Sequence, residues 1–355
     1  MKQLLISIAA LMAILPYAEA QTKDLSFANV PVCGEAKMVY YDEGRYEAFT
    51  DIAKFKGKYY IAFRDSYSHI FEEDGTAQGH TYIIMSEDGE NWKKIVDQAE
   101  PGIDLRDPKL SITPDGRLMV IMGGSKYGNA KENTACQGRL TRVSYSSDGE
   151  HFSTPVPVNI DTKTWNDWLW RVTWNEKKGY GFVKCDRLTL VKTRDGLNYK
   201  TIKDFNFDEI PGDESTIRFL EDGTMLALIR TKRANYSFRT GEGMWGVSKP
   251  PYKKWNITPL PFRLGGPNFI VIDDRYCIIA SRLYDEKEQK TVLLKSDLKG
   301  NLTPVCVLPS GGNNGNCSYA GMLIEGKELW VCYYSQHETP KPAIYLVKLP
   351  MSMFE

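Results

Sequence analysis

The sequence predicts an all-β protein, a six-bladed β-propeller of four-stranded antiparallel blades. Three observations predict it. A short turn pattern occurs three times, six units of strand, turn and strand follow one another along the chain, and helical periodicity is nearly absent.

The turn pattern reads Ser86-Glu87-Asp88-Gly89-Glu90-Asn91-Trp92, then Ser146-Ser147-Asp148-Gly149-Glu150-His151-Phe152, then Thr193-Arg194-Asp195-Gly196-Leu197-Asn198-Tyr199. Asp followed by Gly forms a tight turn in which the carboxylate accepts backbone N–H groups, and the aromatic three residues later drops back between sheets. Each turn is expected to be a hairpin clasp, a structural use of Asp88, Asp148 and Asp195. The six strand pairs span residues 46–64, 107–123, 168–184, 213–230, 266–282 and 318–334. Their starts lie about 45 to 65 residues apart, the range of propeller blades. The first strand of each would line a central channel, the third and fourth would flank the clasp, and residues 37–41 would supply the outer strand that closes the last blade. Five or seven blades are the alternatives.

The first twenty residues read as an export signal. Lys2 precedes an apolar run from Leu4 to Leu15, and Ala18-Glu19-Ala20 forms a small-x-small cleavage pattern. The mature chain is expected to be one domain, residues 21–355, secreted or periplasmic. No Cys follows the cleavage pattern to carry a lipid, and no later segment approaches the roughly 20 apolar residues of a spanning helix, so membrane insertion is not expected. Lys plus Arg equals Asp plus Glu at 45 each, which gives no reason to expect nucleic acid or an anionic membrane as partner. The seven Cys residues show no CxxC spacing, which argues against zinc and against a disulfide-dense scaffold. Buried free thiols are expected, with Cys306 or Cys317 bridged to Cys332 as the alternative. No Asp-rich metal loop is present, and neither metal nor cofactor is expected. Nothing in the sequence indicates an oligomeric state.

In a propeller, residues at the channel ends of the innermost strands converge from different blades onto one pocket. Here these are Arg45 and Glu47, Arg64 and Asp65, Arg106 and Asp107, Trp168 and Arg171, Asp213, Glu214 and Arg230, Arg263 and Asn268, Arg282, Tyr319, and His337 and Glu338. A purely structural channel needs only apolar or small residues. Arg, carboxylate and Tyr together point to an acidic or heavily hydroxylated ligand, a glycan or oligosaccharide. Lys232, Arg233 and Arg239 form a charged loop that would contact a polymer or only solvent. The run Leu264-Gly265-Gly266-Pro267-Asn268 has no helix after it and reads as a tight entry to a channel strand, not a phosphate loop.

These residues resemble the sialidase (neuraminidase) superfamily of Asp-box, or BNR-repeat, propellers. The three turns are similar to Asp-boxes. Glu214-Ser215-Thr216-Ile217-Arg218-Phe219-Leu220 running on to Arg230 is similar to the family's Glu-to-Arg strand pair. Ser318-Tyr319-Ala320-Gly321-Met322, followed by Trp330 to Tyr334, is similar to the pair bearing its Tyr nucleophile. Arg45-Tyr46-Glu47-Ala48-Phe49 stands where the family has Arg-Ile-Pro, without the Pro. The resemblance implies an exo-acting glycoside hydrolase that removes a terminal acidic sugar. Tyr319 would attack, Glu214 would activate it, Asp65 would donate the proton, and Arg45, Arg230 and Arg282 would grip the substrate carboxylate. Arg64, Arg106, Glu47, Trp168, Asn268 and His337 would line the pocket. The chemistry is coherent, because a neutral phenol escapes the repulsion that a carboxylate nucleophile meets at an anomeric carbon bearing an acid.

Arg106-Asp107-Pro108 also resembles the furanosidase propellers, which use three carboxylates. On that reading Asp51 or Glu47 would be nucleophile or base, Asp107 would position the sugar or tune a pKa, and Glu214 would donate the proton. A third reading, from a different class, is a non-catalytic glycan-binding propeller. It needs the same aromatics and Arg residues but no contact between Glu214 and Tyr319.

Overall fold

The computed structural model describes residues 25–129, 135–162, 164, 166–205, 212–231, 242–284, 288–312 and 315–355. The export signal expected in residues 1–20 and the loop carrying Lys232, Arg233 and Arg239 lie outside them. The described chain is almost entirely β, with one short 3-10 turn at Met351–Phe354. No helix in it is long and apolar enough to cross a membrane.

Four sheets are separate four-stranded antiparallel meanders, and a fifth, ten-stranded sheet joins two more through a short parallel pair at Asn166 and Asp167. The innermost strands, in chain order, are Ala48–Phe55, Asp104–Ile112, the broken strand Asn166–Leu169 with Thr173–Asn175, Gly212–Phe219, Asn268–Val271 and Cys317–Glu325. Each pairs with the next strand of its own meander as the sequence periodicity predicts. Lys37–Tyr40 pairs antiparallel with Ala343–Pro350, so the N-terminal strand completes the last meander and closes the propeller.

Apolar side chains fill every junction between neighbouring sheets. Phe49, Ile61 and Phe63 of the first meander pack on Trp330, Tyr334 and Ile344 of the last, and equivalent clusters fill the other junctions. The three Asp-Gly turns lock these junctions. Asp88 Oδ1 accepts from Ser86 Oγ and from the backbone N–H groups of Glu90 and Asn91, each at 2.8 Å, and the other two turns repeat the pattern. Hydrogen bonds pull the Asp88 carboxyl well below its usual range. At Asp195 burial opposes the shift, yet the bonds from Asn198 and Leu197 still hold it down to about 2. Gly89, Gly149 and Gly196 all have positive φ, and a Cβ on any of them would collide with an aromatic of the preceding meander, respectively Trp330, Tyr60 and Tyr145.

The innermost strands do not pair with one another, so, except at Asn166 and Asp167, they present edges of backbone groups that need other partners. Side chains supply them. Thr50 Oγ1 donates to Tyr319 O at 2.9 Å, Thr173 Oγ1 to Ile217 O at 2.7 Å, Thr216 Oγ1 to Pro267 O at 2.9 Å, and Asn268 Nδ2 to Ala320 O at 3.0 Å. Asp51 accepts from Leu110 N at 2.8 Å and from Arg171 at 2.7 Å, tying the first three meanders together. Asp51 is almost fully buried, and removing one member of a buried pair leaves the other charge uncompensated. Asp51→Leu is therefore expected to cost about 3–5 kcal/mol in urea unfolding, with Asp51→Leu/Arg171→Met recovering a substantial part. A double variant no more stable than the single one would contradict this role for the pair.

Candidate functional site

Four innermost strands carry a one-residue bulge near one end, at Ala48–Asp51, Arg106–Lys109, Gly212–Ser215 and Ser318–Gly321. Three of the bulges hold a non-glycine residue in the left-handed region: Phe49 at φ 65°, Asp107 at 52° and Tyr319 at 55°. Such residues cost roughly 1–3 kcal/mol each and cluster where a side chain must be re-aimed. The bulged segments bring Phe49, Asp107, Glu214 and Tyr319 together from four meanders.

Tyr319 donates its hydroxyl to Glu214 Oε1 at 2.8 Å. Arg230 Nη1 donates to the same phenol oxygen at 3.1 Å and is ion-paired with Glu214 Oε2, which also accepts from Gly266 N at 3.2 Å. Gly266 has φ 56° and presses on the Tyr319 ring so closely that a Cβ would collide with it. The glycine-rich entry to the fifth meander thus serves as the wall behind the tyrosine. Phe49 and Trp170 pack edge-on against Tyr319, at 5.0 and 5.9 Å between ring centroids, and the Arg282 guanidinium lies 5.1 Å from its ring. Burial, with the Glu214 carboxylate beside it, pushes the Tyr319 phenol well above its ordinary pKa, so it rests protonated. Arg282 donates to Cys317 O at 2.8 Å and to Tyr334 Oη at 2.9 Å, and has no acidic partner among the described residues.

Asp107, on the innermost strand of the second meander, has its carboxyl 3.3 Å from Arg106 Nε. Burial pushes it up to about 6 against the pull of Arg106 and Lys109, with Glu214 adding to the rise. Lys109 is brought down to about 8 by burial, donates to Thr50 O and Pro108 O, and lies 5.0 Å from the Trp170 ring. His69, held at about 3 chiefly by burial and then by Arg106, is a neutral imidazole. Tyr46 donates to Asn316 Oδ1 at 2.6 Å, so its oxygen accepts from His69 Nδ1 at 3.3 Å, and Nε2 is left to face Arg106 Nη2 at 3.4 Å.

Other candidates have different work. Arg45 is paired with Asp65 at 2.7 Å and Glu72 at 2.9 Å and lines a separate surface cleft with Glu73, Thr76 and His80. Asp65 is fully buried against Arg45, which removes it as a proton donor to a channel substrate. Arg64 is not a pocket residue, because it is completely buried and spends its donors on Asp104, Ser68 O and Ile70 O. Asn268 is consumed by Ala320 O and Arg218, and Asp51 by Arg171 and Leu110 N. Glu47 is buried, accepts from Asp42 N at 3.2 Å, is pushed up to about 8 by burial and then by Asp65, and has no side-chain hydrogen-bond partner among the described residues. His337 lies beyond the inner strands, bonded to Ser335 Oγ and packed on Tyr345. Asp213 is ion-paired with Lys184. Trp168 packs on Trp170 at 5.9 Å with Arg139 and Lys184 over its ring. All seven cysteines are free.

Phe49, His69, Trp170 and Lys109 are channel residues that the strand-end reading passed over. Phe49 was detectable by register, since it holds the bulge position that Asp107 and Tyr319 hold in their strands. The other three carry no such mark.

No protein-family model matches the chain, and no curated protein sequence does. Solved structures do. A protein of unknown function from Dyadobacter fermentans is similar with a TM-score of 0.75 at 16% identity, over 89% of this chain and 98% of that one. The NanB sialidase of Streptococcus pneumoniae gives 0.65 at 9% identity, over 92% and 72%. The α-L-arabinanase of Penicillium chrysogenum, solved with arabinobiose, gives 0.66 at 14% identity, over 90% and 99%. The likeness at these identities is one of fold, and the chain has the propeller fold found in sialidases and arabinanases.

Proposed function

We propose that this protein is an exported, exo-acting glycoside hydrolase that removes a terminal acidic sugar from a glycan. The observation that carries the reading is the Tyr319 oxygen, 2.8 Å from Glu214 and 3.1 Å from Arg230. A buried phenol gripped in this way is poised to lose its proton only as it attacks. Glu214 takes that proton while the phenol oxygen bonds to the anomeric carbon. The bond from that carbon to the leaving oxygen breaks, and Asp107 supplies the leaving group's proton. Water, deprotonated by Asp107, then attacks the same carbon, and Tyr319 leaves with the proton returned by Glu214. Arg282 and Arg230 form the cationic wall for the substrate carboxylate, in a site whose burial strengthens charge-assisted hydrogen bonds.

The three-carboxylate alternative finds less support, because Asp51 is bound within the propeller wall and Glu47 is turned toward Asp42. The glycan-binding alternative does not account for the contact between Glu214 and Tyr319. The apolar run and cleavage pattern at the N-terminus support export.

Turnover on a panel of sialyl, uronyl and arabinofuranosyl aryl glycosides tests the reading, and activity is expected on at least one sugar acid. Tyr319→Phe and Glu214→Gln are each expected to lower kcat on that substrate at least 100-fold while binding of the product sugar persists. Unchanged turnover in either variant would reject the assignment. A proton donor near 6 must be protonated to act, so kcat/KM is expected to fall as pH rises through about 6. In Asp107→Asn that limb should vanish, and substrates with poor leaving groups should lose far more rate than activated aryl glycosides. A limb that persists in the variant would assign it to another group.

A further inference from the structure

Arg106 is unlike the other buried arginines. Arg64, Arg142, Arg171 and Arg282 each make at least one hydrogen bond of 2.7 or 2.8 Å. Arg106 makes five contacts, and none is short: Asp107 Oδ2, Asp104 Oδ2 and Tyr127 Oη at 3.3 Å, and His69 Nε2 and His69 O at 3.4 Å. Amide-type donors in proteins normally sit near 2.9 Å from their acceptors, and charge-assisted ones closer. Of its two carboxylate partners, Asp104 is also shared, since it gives its other oxygen to Arg64 at 2.7 Å. Two guanidiniums therefore lean on Asp104, and the second carboxylate of Arg106 is Asp107, itself pushed up to about 6 by burial.

The position of this loosely held cation is set. Its guanidinium lies 5.2 Å from the Phe49 ring, and Phe49 in turn lies 5.0 Å from Tyr319. Arg106 and Tyr319 thus both pack on the Phe49 ring. The His69–Tyr46–Asn316 chain fixes the neutral imidazole that limits how far the guanidinium can swing.

We propose that Arg106 binds a second anionic group of the substrate, so that the preferred ligand is a sugar acid carrying a further carboxylate or sulfate remote from its anomeric centre. The inference rests on reading the channel as a sugar-acid site. The oxyanion would take the Nη donors now held at long range, replacing contacts to His69 and Tyr127 with charge-assisted ones. An anion there also adds like charge beside Asp107 and draws away its cation, which favours the protonated carboxyl needed for leaving-group departure.

The test is titration calorimetry on the full chain with three probes: a uronate disaccharide, the same disaccharide bearing one sulfate, and a disaccharide of two uronates. Wild-type protein is expected to bind at least one of the doubly charged probes ten or more times more tightly than the singly charged one. Which probe gains separates sulfate from carboxylate recognition. Arg106→Gln is expected to bring the three affinities within about threefold of one another, and Arg106→Lys, which keeps the charge, to retain part of the preference. Equal binding of all probes by the wild type, binding of none, or an unchanged preference in Arg106→Gln would overturn the proposal. The wild-type comparison decides even if a variant fails to fold. The catalytic reading fails separately: full turnover in Tyr319→Phe with the charge preference intact would remove the nucleophile and leave Arg106 in place.

Discussion

Apart from the short parallel pair at Asn166 and Asp167, the innermost strands of this propeller each have one edge without a strand beside it, and the molecule is organised around satisfying those edges. Backbone N–H and C=O groups facing a narrow channel cannot be left without partners at acceptable cost. Thr50, Thr173, Thr216 and Asn268 reach from one inner strand to the backbone of the next, and Asp51 with Arg171 gathers three meanders at once. A ring of side-chain bonds takes the place of a continuous ladder. The polar residues it consumes are of the same types that a ligand site would use, and they share its channel.

The bulges divide structure from function within that ring. A regular inner strand would send alternate side chains into the neighbouring junctions, where Ile, Leu and aromatic residues already fill the space. The extra residue at Asp107 and at Tyr319 breaks the alternation and turns a polar side chain toward the channel, at the cost of a left-handed backbone. The surrounding packing over-determines these conformations. Gly266 backs Tyr319, Phe49 and Trp170 flank it, and Glu214 and Arg230 hold its oxygen. A site set on sheet edges and braced from behind is rigid, which suits a reaction in which positioning and fixed charge supply the rate.

The architecture was legible in the sequence because its signals are local. Asp followed by Gly and an aromatic three residues on reports a turn whose partners all lie within a few residues, as the bonds to Asp88 confirm. Strand pairs declare themselves by alternation and a tight turn. Glu214, Arg230 and Tyr319 were also legible, and the structure brings them into direct contact. What failed was the separation of neighbours at strand ends. Arg64 and Asp65 are adjacent, and both end the second strand of the first meander, but their partners are Asp104 and Arg45, residues 40 and 20 positions away. Period-two geometry turns a one-residue ambiguity into opposite faces, so neither partner follows from spacing. Asn268 and Asp51 misled for another reason: a polar residue at a channel strand reads as a ligand group until the unpaired backbone it serves is known.

The central claim is that the Tyr319 oxygen forms a bond to sugar. Its most direct test is the mass of the protein after brief reaction with a fluorinated glycosyl fluoride of a sugar acid, in which the electron-withdrawing fluorine slows breakdown of the adduct more than its formation. The account predicts a mass increase of one fluorinated sugar residue, mapped by peptide fragmentation to Tyr319. Turnover of the unfluorinated sugar with no adduct, or an adduct on Asp107 or Glu214, would contradict it.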